Sequence, residues 1–174
     1  EIMALRQAGP KAKGATLYST LEPCNHHGRT PPCTEAIVGA GITEVRIAVL
    51  DPNPNVAGGG VQALEEAGVR VRVGEGEKRA KLLMESYLKY VREGMPFVTA
   101  KFAMSLDGKI ATHTGDSKWI SGDKARWAVH GIRQVSDAIM VGINTVVADN
   151  PQLTARDERG RPRDRQPLRV IVDS

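Results

Sequence analysis

The chain has 174 residues, 41% of them hydrophobic and 25% charged, which is the balance of an ordinary globular protein rather than a disordered one. No run approaches the roughly 18 consecutive apolar residues of a membrane-spanning helix, and two cysteines are too few for a disulfide-dense scaffold. The net charge of +4 suits an anionic ligand, but aromatics at 4% are too scarce for a nucleic-acid surface built on stacked bases.

Residue 1 is Glu rather than Met and opens directly onto a helical pattern, so the chain reads as a piece of a longer protein. Residues 15–21 follow a Gly- and Lys-rich turn and are strand-like. A helix is predicted over 34–40, capped by Thr34 and closed by Gly41. Residues 45–50 are apolar apart from Arg46 and rich in β-branched side chains, as a largely buried strand would be. Prolines, asparagines and glycines between 51 and 60 make a long turn. A helix over 61–67 then stops at Gly68, and 69–73 alternates as a strand. Strands alternating with helices imply βαβ units and a largely parallel sheet.

Residues 77–93 read as one longer helix, with Leu82, Leu83, Tyr87 and Tyr90 at helical spacing and Gly94 at its end. Pro96 opens a new pattern, and a domain boundary is expected there, between 1–95 and 96–174. Residues 97–104 read as an apolar strand, 124–135 as an amphipathic helix, 138–146 as a third apolar run and 168–173 as a last strand. Between Ala155 and Arg169, six arginines stand against three acids in a run that also holds Gly160, Pro162 and Pro167. By composition that run is a solvated loop, or one that meets an anion.

The densest chemical feature is TLEPCNHHGRTPPCT, which carries Cys24 and Cys33, each preceded by proline, with His26, His27 and Arg29 between them. Cys24 follows a strand where a helix is expected to begin, and Cys33 immediately precedes the Thr34 cap. Two sulfurs near helix N-termini are expected to have lowered thiol pKa values and to favour the metal-binding thiolate. Two buried structural cysteines would leave the prolines and the strand–Cys–helix context unexplained. Zinc deaminases of the cytidine type use H-x-E followed by P-C-x-x-C. Here eight residues rather than two separate the cysteines, and Glu1 stands where the Glu of a truncated H-x-E would.

With its widened cysteine spacing, that run resembles the deaminase half of the bifunctional RibD family of riboflavin biosynthesis. DPNPN at 51–55, followed by VAGGG, resembles the family's next signature. The resemblance implies that Cys24 and Cys33 are zinc ligands, that Glu1 transfers protons, and that the third ligand is a His two residues before Glu1. The metal would activate a water for attack on the amine-bearing pyrimidine carbon, while Glu1 moves a proton onto the departing ammonia. His26 would contact the substrate, and His27 and Arg29 lie near enough in sequence to do the same.

Beyond Pro96, the run VTAKFAMSLDGKIA and the later segments TGDSKWIS, HGIR, VGINT and ADNPQLTAR resemble the start of the family's reductase domain. Taken singly, each has a structural explanation: a turn, a core tryptophan, a helix stop. The resemblance assigns Ala103, Trp119, Thr145 and Asp149 to NADPH. It assigns Ser117, Arg133, Leu153 and Arg156 to the ribosyl phosphate, with Lys101 near the reacting sugar. A guanidinium binds phosphate bidentately, so the two arginines suit that role. No G-x-G-x-x-G is present, so a Rossmann cofactor site is not expected.

The fold class implied is α/β: a cytidine-deaminase-like three-layer α/β/α domain, then the first half of a dihydrofolate-reductase-like α/β domain. The resemblance further implies zinc and NADPH as cofactors and a small phosphorylated pyrimidine as substrate, with no nucleic-acid or membrane partner. It also implies a homo-oligomer and a cytoplasmic location. Two alternatives stay open at this point. One is a deaminase of another nucleobase or of tRNA with an unrelated C-terminal domain. The other is a metal-stabilised binding module in which His26 or His27 completes the ligand set.

Overall fold

The strand over 44–49 is buried at five of its six positions, and it is the one that lies in the middle of its sheet. In the computed structural model, which describes residues 1–28, 30–54 and 56–173, β2 (Glu44–Val49) lies between β1 (Thr16–Leu21) and β3 (Arg70–Val73). All three run parallel, with Leu17 opposite Val45 and Ile47 opposite Val73. A parallel sheet needs crossovers, and α2 (Cys33–Gly39) and α3 (Gly59–Glu66) supply them. The chain divides into two units, Glu1–Thr99 and Ala100–Ser174.

In the first unit, β2 contributes to two apolar layers because successive side chains point to opposite faces. Val45 and Ile47 pack with Ile37 of α2, Leu64 of α3 and Leu5 of α1 (Ile2–Ala8). Ala48 joins Val49 with Ala80 of α4 (Glu77–Leu83) and Leu88 of α5 (Glu85–Glu93). Helices on both sides of the sheet make three layers, α/β/α. Val45, Ile47, Ile37 and Leu64 are fully buried, and each such burial is worth about 1.5–3 kcal/mol.

Three details of this unit differ from the sequence expectation. Thr34 is not the cap of α2, which begins one residue earlier, at Cys33, with Pro32 in the N-cap position. The turn expected over 51–60 ends sooner, because Gly59 and Gly60 already belong to α3. Gly58, at φ 80, makes that start in a left-handed conformation that favours glycine. The single helix expected over 77–93 is broken at Met84 (φ −110°, ψ 18°). Of the side chains placed on its apolar face, Leu82 and Leu83 are 65% and 75% exposed, and the buried residues are Ala80 and Leu88. The break lets each short helix present its own small patch to the sheet, which one continuous 3.6-residue period does not do.

The second unit has α6 (Asp123–Val135), β4 (Ala138–Gly142), α7 (Ile143–Asp149) and β5 (Leu168–Val172). β4 and β5 are parallel, with Ala138 opposite Leu168 and Gly142 opposite Val172. The expected strand over 97–104 is not formed: these residues have no regular structure, and Val98 and Phe102 are 79% and 73% exposed. An apolar run becomes a strand only where another strand completes its ladder, and it has none among the described residues. The apolar run 138–146 is divided between β4 and the start of α7. Asn150, at φ 41, closes α7 before Pro151, as the composition there predicts. No helix among the described residues is long and apolar enough to cross a membrane.

Candidate functional site

Pro23, fully buried, carries the chain from the end of β1 to Cys24. Cys24 is not at a helix start of its own. It sits over the start of α2, where the Cys33 N–H donates to its sulfur (3.4 Å) and the Thr34 N–H to its carbonyl (3.3 Å). The Thr34 hydroxyl donates to Asn25 Oδ1 (2.8 Å). Both sulfurs therefore share one helix N-terminus, and both cysteines are free and half-buried.

The Cys24 sulfur and the Glu1 carboxylate, 9 and 32 positions away in sequence, are the neighbours whose influence reaches the Cys33 thiol. The expected lowering of the thiol pKa is not what this arrangement gives. Burial, then the Cys24 contact, then the Glu1 contact push the Cys33 thiol up to about 12. Each favours the neutral thiol, and together they outweigh the first turn of a short helix. A divalent cation at the sulfurs would reverse that balance. Glu1 is held from the other side by the Ser19 hydroxyl, which donates to its Oε1 (2.9 Å).

The donors fit zinc in kind: two adjoining soft sulfurs beside a carboxylate. They are two of the three protein ligands such a centre uses. Among the described residues no three His, Cys, Asp or Glu side chains are grouped so as to hold a metal ion, so neither His26 nor His27 joins the sulfurs. His26 and His27 are exposed on the loop after Cys24, and Arg29 lies outside the described residues.

In the second unit a cavity of about 280 Å³ is lined by His130 and Arg133 of α6 and by Pro151, Gln152, Leu153, Thr154 and Arg156. No acid lines it. The Thr154 carbonyl accepts from His130 Nδ1 (3.0 Å) and from Arg133 Nη1 (3.3 Å), and the Thr154 hydroxyl accepts from Arg156 Nε (3.0 Å). Burial, with the nearby charge of Arg156, lowers the Arg133 pKa, and Arg133 Nε is buried with no hydrogen-bond partner. Two guanidiniums and an unanswered donor around one hollow are the electrostatics of an anion site. Leu153 adopts φ 55°, uncommon for a residue with a side chain, and lies buried beneath the cavity.

The cavity thus gathers Arg133, Leu153 and Arg156 from positions 23 apart, but not Ser117. Ser117 and Ala103 are half-buried elsewhere in the unit, and Lys101 is exposed. Trp119 is 71% exposed, with the Arg126 guanidinium 4.4 Å above its ring. Thr145 and Asp149 stand exposed one turn apart on α7. Ala103, Trp119, Thr145 and Asp149 do not line the cavity of Arg133 and Arg156. Two participants escaped the sequence: His130, whose role depends on a carbonyl 24 residues away, and Glu22, a buried carboxylate beside the Pro23–Cys24 step. Glu22 stands inside the cysteine-bearing run, but a carboxylate that acts on distant backbone N–H groups leaves no local mark there.

Comparison with known proteins accounts for both units. Residues 1–49 match the cytidine and deoxycytidylate deaminase zinc-binding region, and residues 96–174 match the RibD C-terminal domain. The chain is 51% identical to the riboflavin biosynthesis protein RibD of Aquifex aeolicus over 99% of its own length and 48% of that protein's. It is 46% identical to RibD of Escherichia coli over 100% of the chain and 50% of that protein. Among solved structures, it is similar to a diaminohydroxyphosphoribosylaminopyrimidine deaminase/5-amino-6-(5-phosphoribosylamino)uracil reductase from Thermotoga maritima. There the TM-score is 0.87 at 48% identity, covering 99% of the chain and 48% of the neighbour. RibD of Acinetobacter baumannii is also similar, with a TM-score of 0.87 at 49% identity over 98% of the chain and 48% of that structure. The chain spans about half the length of the relatives it matches.

Proposed function

This chain belongs to the RibD family, and from that premise we propose that it carries parts of two consecutive activities of riboflavin biosynthesis. Residues 1–95 deaminate 2,5-diamino-6-(ribosylamino)-4(3H)-pyrimidinone 5′-phosphate, and residues 96–174 take part in reducing the ribosyl chain to ribityl with NADPH. The observation that supports this best is the seating of Cys24 on the start of α2, where the Cys33 N–H donates to its sulfur and the two cysteines adjoin. A nucleobase or tRNA deaminase with an unrelated appended domain is not favoured, because residues 96–174 match the RibD C-terminal domain.

Cys24 and Cys33 would hold zinc. Bound there, zinc supplies a water whose pKa is lowered toward neutrality. Glu1, steadied by Ser19, takes a proton from the attacking water and returns one to the leaving ammonia. His26 contacts the substrate from the adjacent loop. In the second unit Arg133 and Arg156 clamp the 5′-phosphate, with Leu153 shaping the floor, while Ser117 and Lys101 attend the sugar. Ala103, Trp119, Thr145 and Asp149 hold NADPH, which supplies the hydride. The substrate's phosphate keeps it within a cell, which suits a cytoplasmic enzyme, and the assembly is a homo-oligomer.

The test uses the complete open reading frame that encodes this chain, with ammonia release and NADPH oxidation assayed separately. Glu1→Gln should lower ammonia release by about 10²–10⁴-fold, the usual contribution of a general acid–base. It should leave NADPH oxidation on the deaminated intermediate intact. Arg133→Ala should do the reverse. A folded Glu1→Gln protein that loses both activities would refute the division.

A further inference from the structure

Glu22 is 4% exposed, and its carboxylate accepts four backbone N–H bonds from residues about 30 to 40 positions ahead. Oε2 takes Asp51 N–H (3.2 Å) and Gly58 N–H (3.0 Å), and Oε1 takes Gly60 N–H (2.9 Å) and Val61 N–H (3.1 Å). α3 has no side-chain cap of its own, so this carboxylate satisfies the open donors of its first turn from another element. The fit is close. A Cβ added at Gly60 would lie 2.0 Å from the Pro23 carbonyl oxygen and 3.1 Å from Glu22 Cγ, whereas one added at neighbouring Gly59 would meet nothing within 4 Å.

Only Pro23, buried and with its φ fixed by the ring, separates this clamp from Cys24. On the far side, the start of α2 holds the Cys24 sulfur and carbonyl. Cys24 is therefore gripped between the starts of two helices, and one grip runs through Glu22 and Gly60. We propose that Glu22 is a positioning residue for the metal centre, and that by locking the 58–61 segment onto the Pro23 carbonyl it sets where the Cys24 sulfur stands relative to that of Cys33. This deepens the deaminase proposal and rests on the cysteines holding zinc there.

The complete open reading frame is loaded with zinc, or with cobalt(II) as a spectroscopic stand-in, and compared with Glu22→Gln, Gly60→Ala, Gly59→Ala and Cys24→Ser. Glutamine keeps the shape but turns an NH₂ toward two N–H donors, and alanine at 60 pushes on Pro23 from the opposite side. Both should weaken zinc at least tenfold in competition with a chelator and alter the cobalt–thiolate absorption, while Gly59→Ala matches the parent. A purely structural Glu22 would lower the unfolding midpoint and leave the cobalt spectrum unchanged, and that result overturns the inference.

Should Glu22→Gln and Gly60→Ala both fail to fold, hydrogen exchange of the unaltered protein decides. Coupling is reciprocal, so zinc should slow exchange of the Gly58, Gly60 and Val61 amides at least tenfold. Unchanged exchange there rejects the role. A parent that binds one zinc, lost in Cys24→Ser but not in Gly60→Ala, rejects this inference alone. A parent that binds no zinc removes the deaminase proposal and this one with it.

Discussion

Arg133 is half-buried on α6, its Nε meets no acceptor, and its nearest charged neighbour is another cation, Arg156. Burying two like charges around one hollow is unfavourable unless an anion completes it. Arg133→Ala should weaken binding of inorganic phosphate or ribose 5-phosphate by about ten- to a hundredfold, the equivalent of losing a charged hydrogen bond of about 1.5–3 kcal/mol. Arg133→Lys should recover little of it, because an ammonium cannot reproduce the guanidinium fork. Titration calorimetry reads both, and full affinity in Arg133→Lys would deny bidentate binding. At the scale of single residues the motifs pointed to neighbours, and the structure sets Cys24 beside Cys33 and brings Arg133 and Arg156 to one cavity. His130 and Glu22 were not legible in the sequence, since each acts through backbone groups at least 24 positions away. The thiol pKa was misjudged for the same reason: helix position is local, but the neighbours that raise it are not.

At the scale of elements, β1, β2, β3 and β5 were legible to within a residue or so, whereas the strand expected over 97–104 is not formed and the run 138–146 is divided between β4 and α7. β2 is marked in the sequence by the β-branched and apolar Val45, Ile47, Ala48 and Val49, all of which the fold buries. The break at Met84 leaves no comparable trace, because a change in backbone direction alters no composition. What the break achieves is a link: Tyr87 of α5 reaches the turn after β2, and its hydroxyl donates to Asp51 Oδ1 (2.8 Å), which also accepts the Asn53 N–H (2.9 Å). Burial, then the Asp51 contact, raises the Tyr87 phenol to about 12. A raised pKa stabilises the fold fully below the unfolded value of about 10 and loses that contribution as pH climbs through about 12. Tyrosinate absorbance should show a late-titrating group near pH 12 that disappears in Tyr87→Phe. The same variant should lose about 0.5–1.5 kcal/mol in urea unfolding at neutral pH, a modest amount because the contact is partly solvated. Identical titration curves for parent and variant would remove Tyr87 from this role.

Over the whole molecule, the two units differ in how much of their apolar surface is covered. The first has two clusters around a three-stranded sheet. The second has two strands and two helices with no buried residue, and Met140, Val147, Leu168 and Ile171 are all exposed. A pair of strands is marginal in water until more chain packs against it, and exposed apolar faces of this extent ordinarily meet a partner surface. Composition could not reveal this, because an apolar strand reads the same whether or not its faces are covered. The 174-residue chain, expressed by itself, should therefore open in two steps. Native-state hydrogen exchange should show Val45 and Ile47 of β2 protected to the level of global unfolding of the first unit, and Ile139 and Val170 of the second sheet opening far more readily. In the complete open reading frame, protection at Ile139 and Val170 should rise by at least tenfold while that at Val45 and Ile47 stays within a factor of about three. Equal protection of both sheets in the 174-residue chain would mean that the second unit is stable as it stands, and that its exposed apolar residues serve something other than packing.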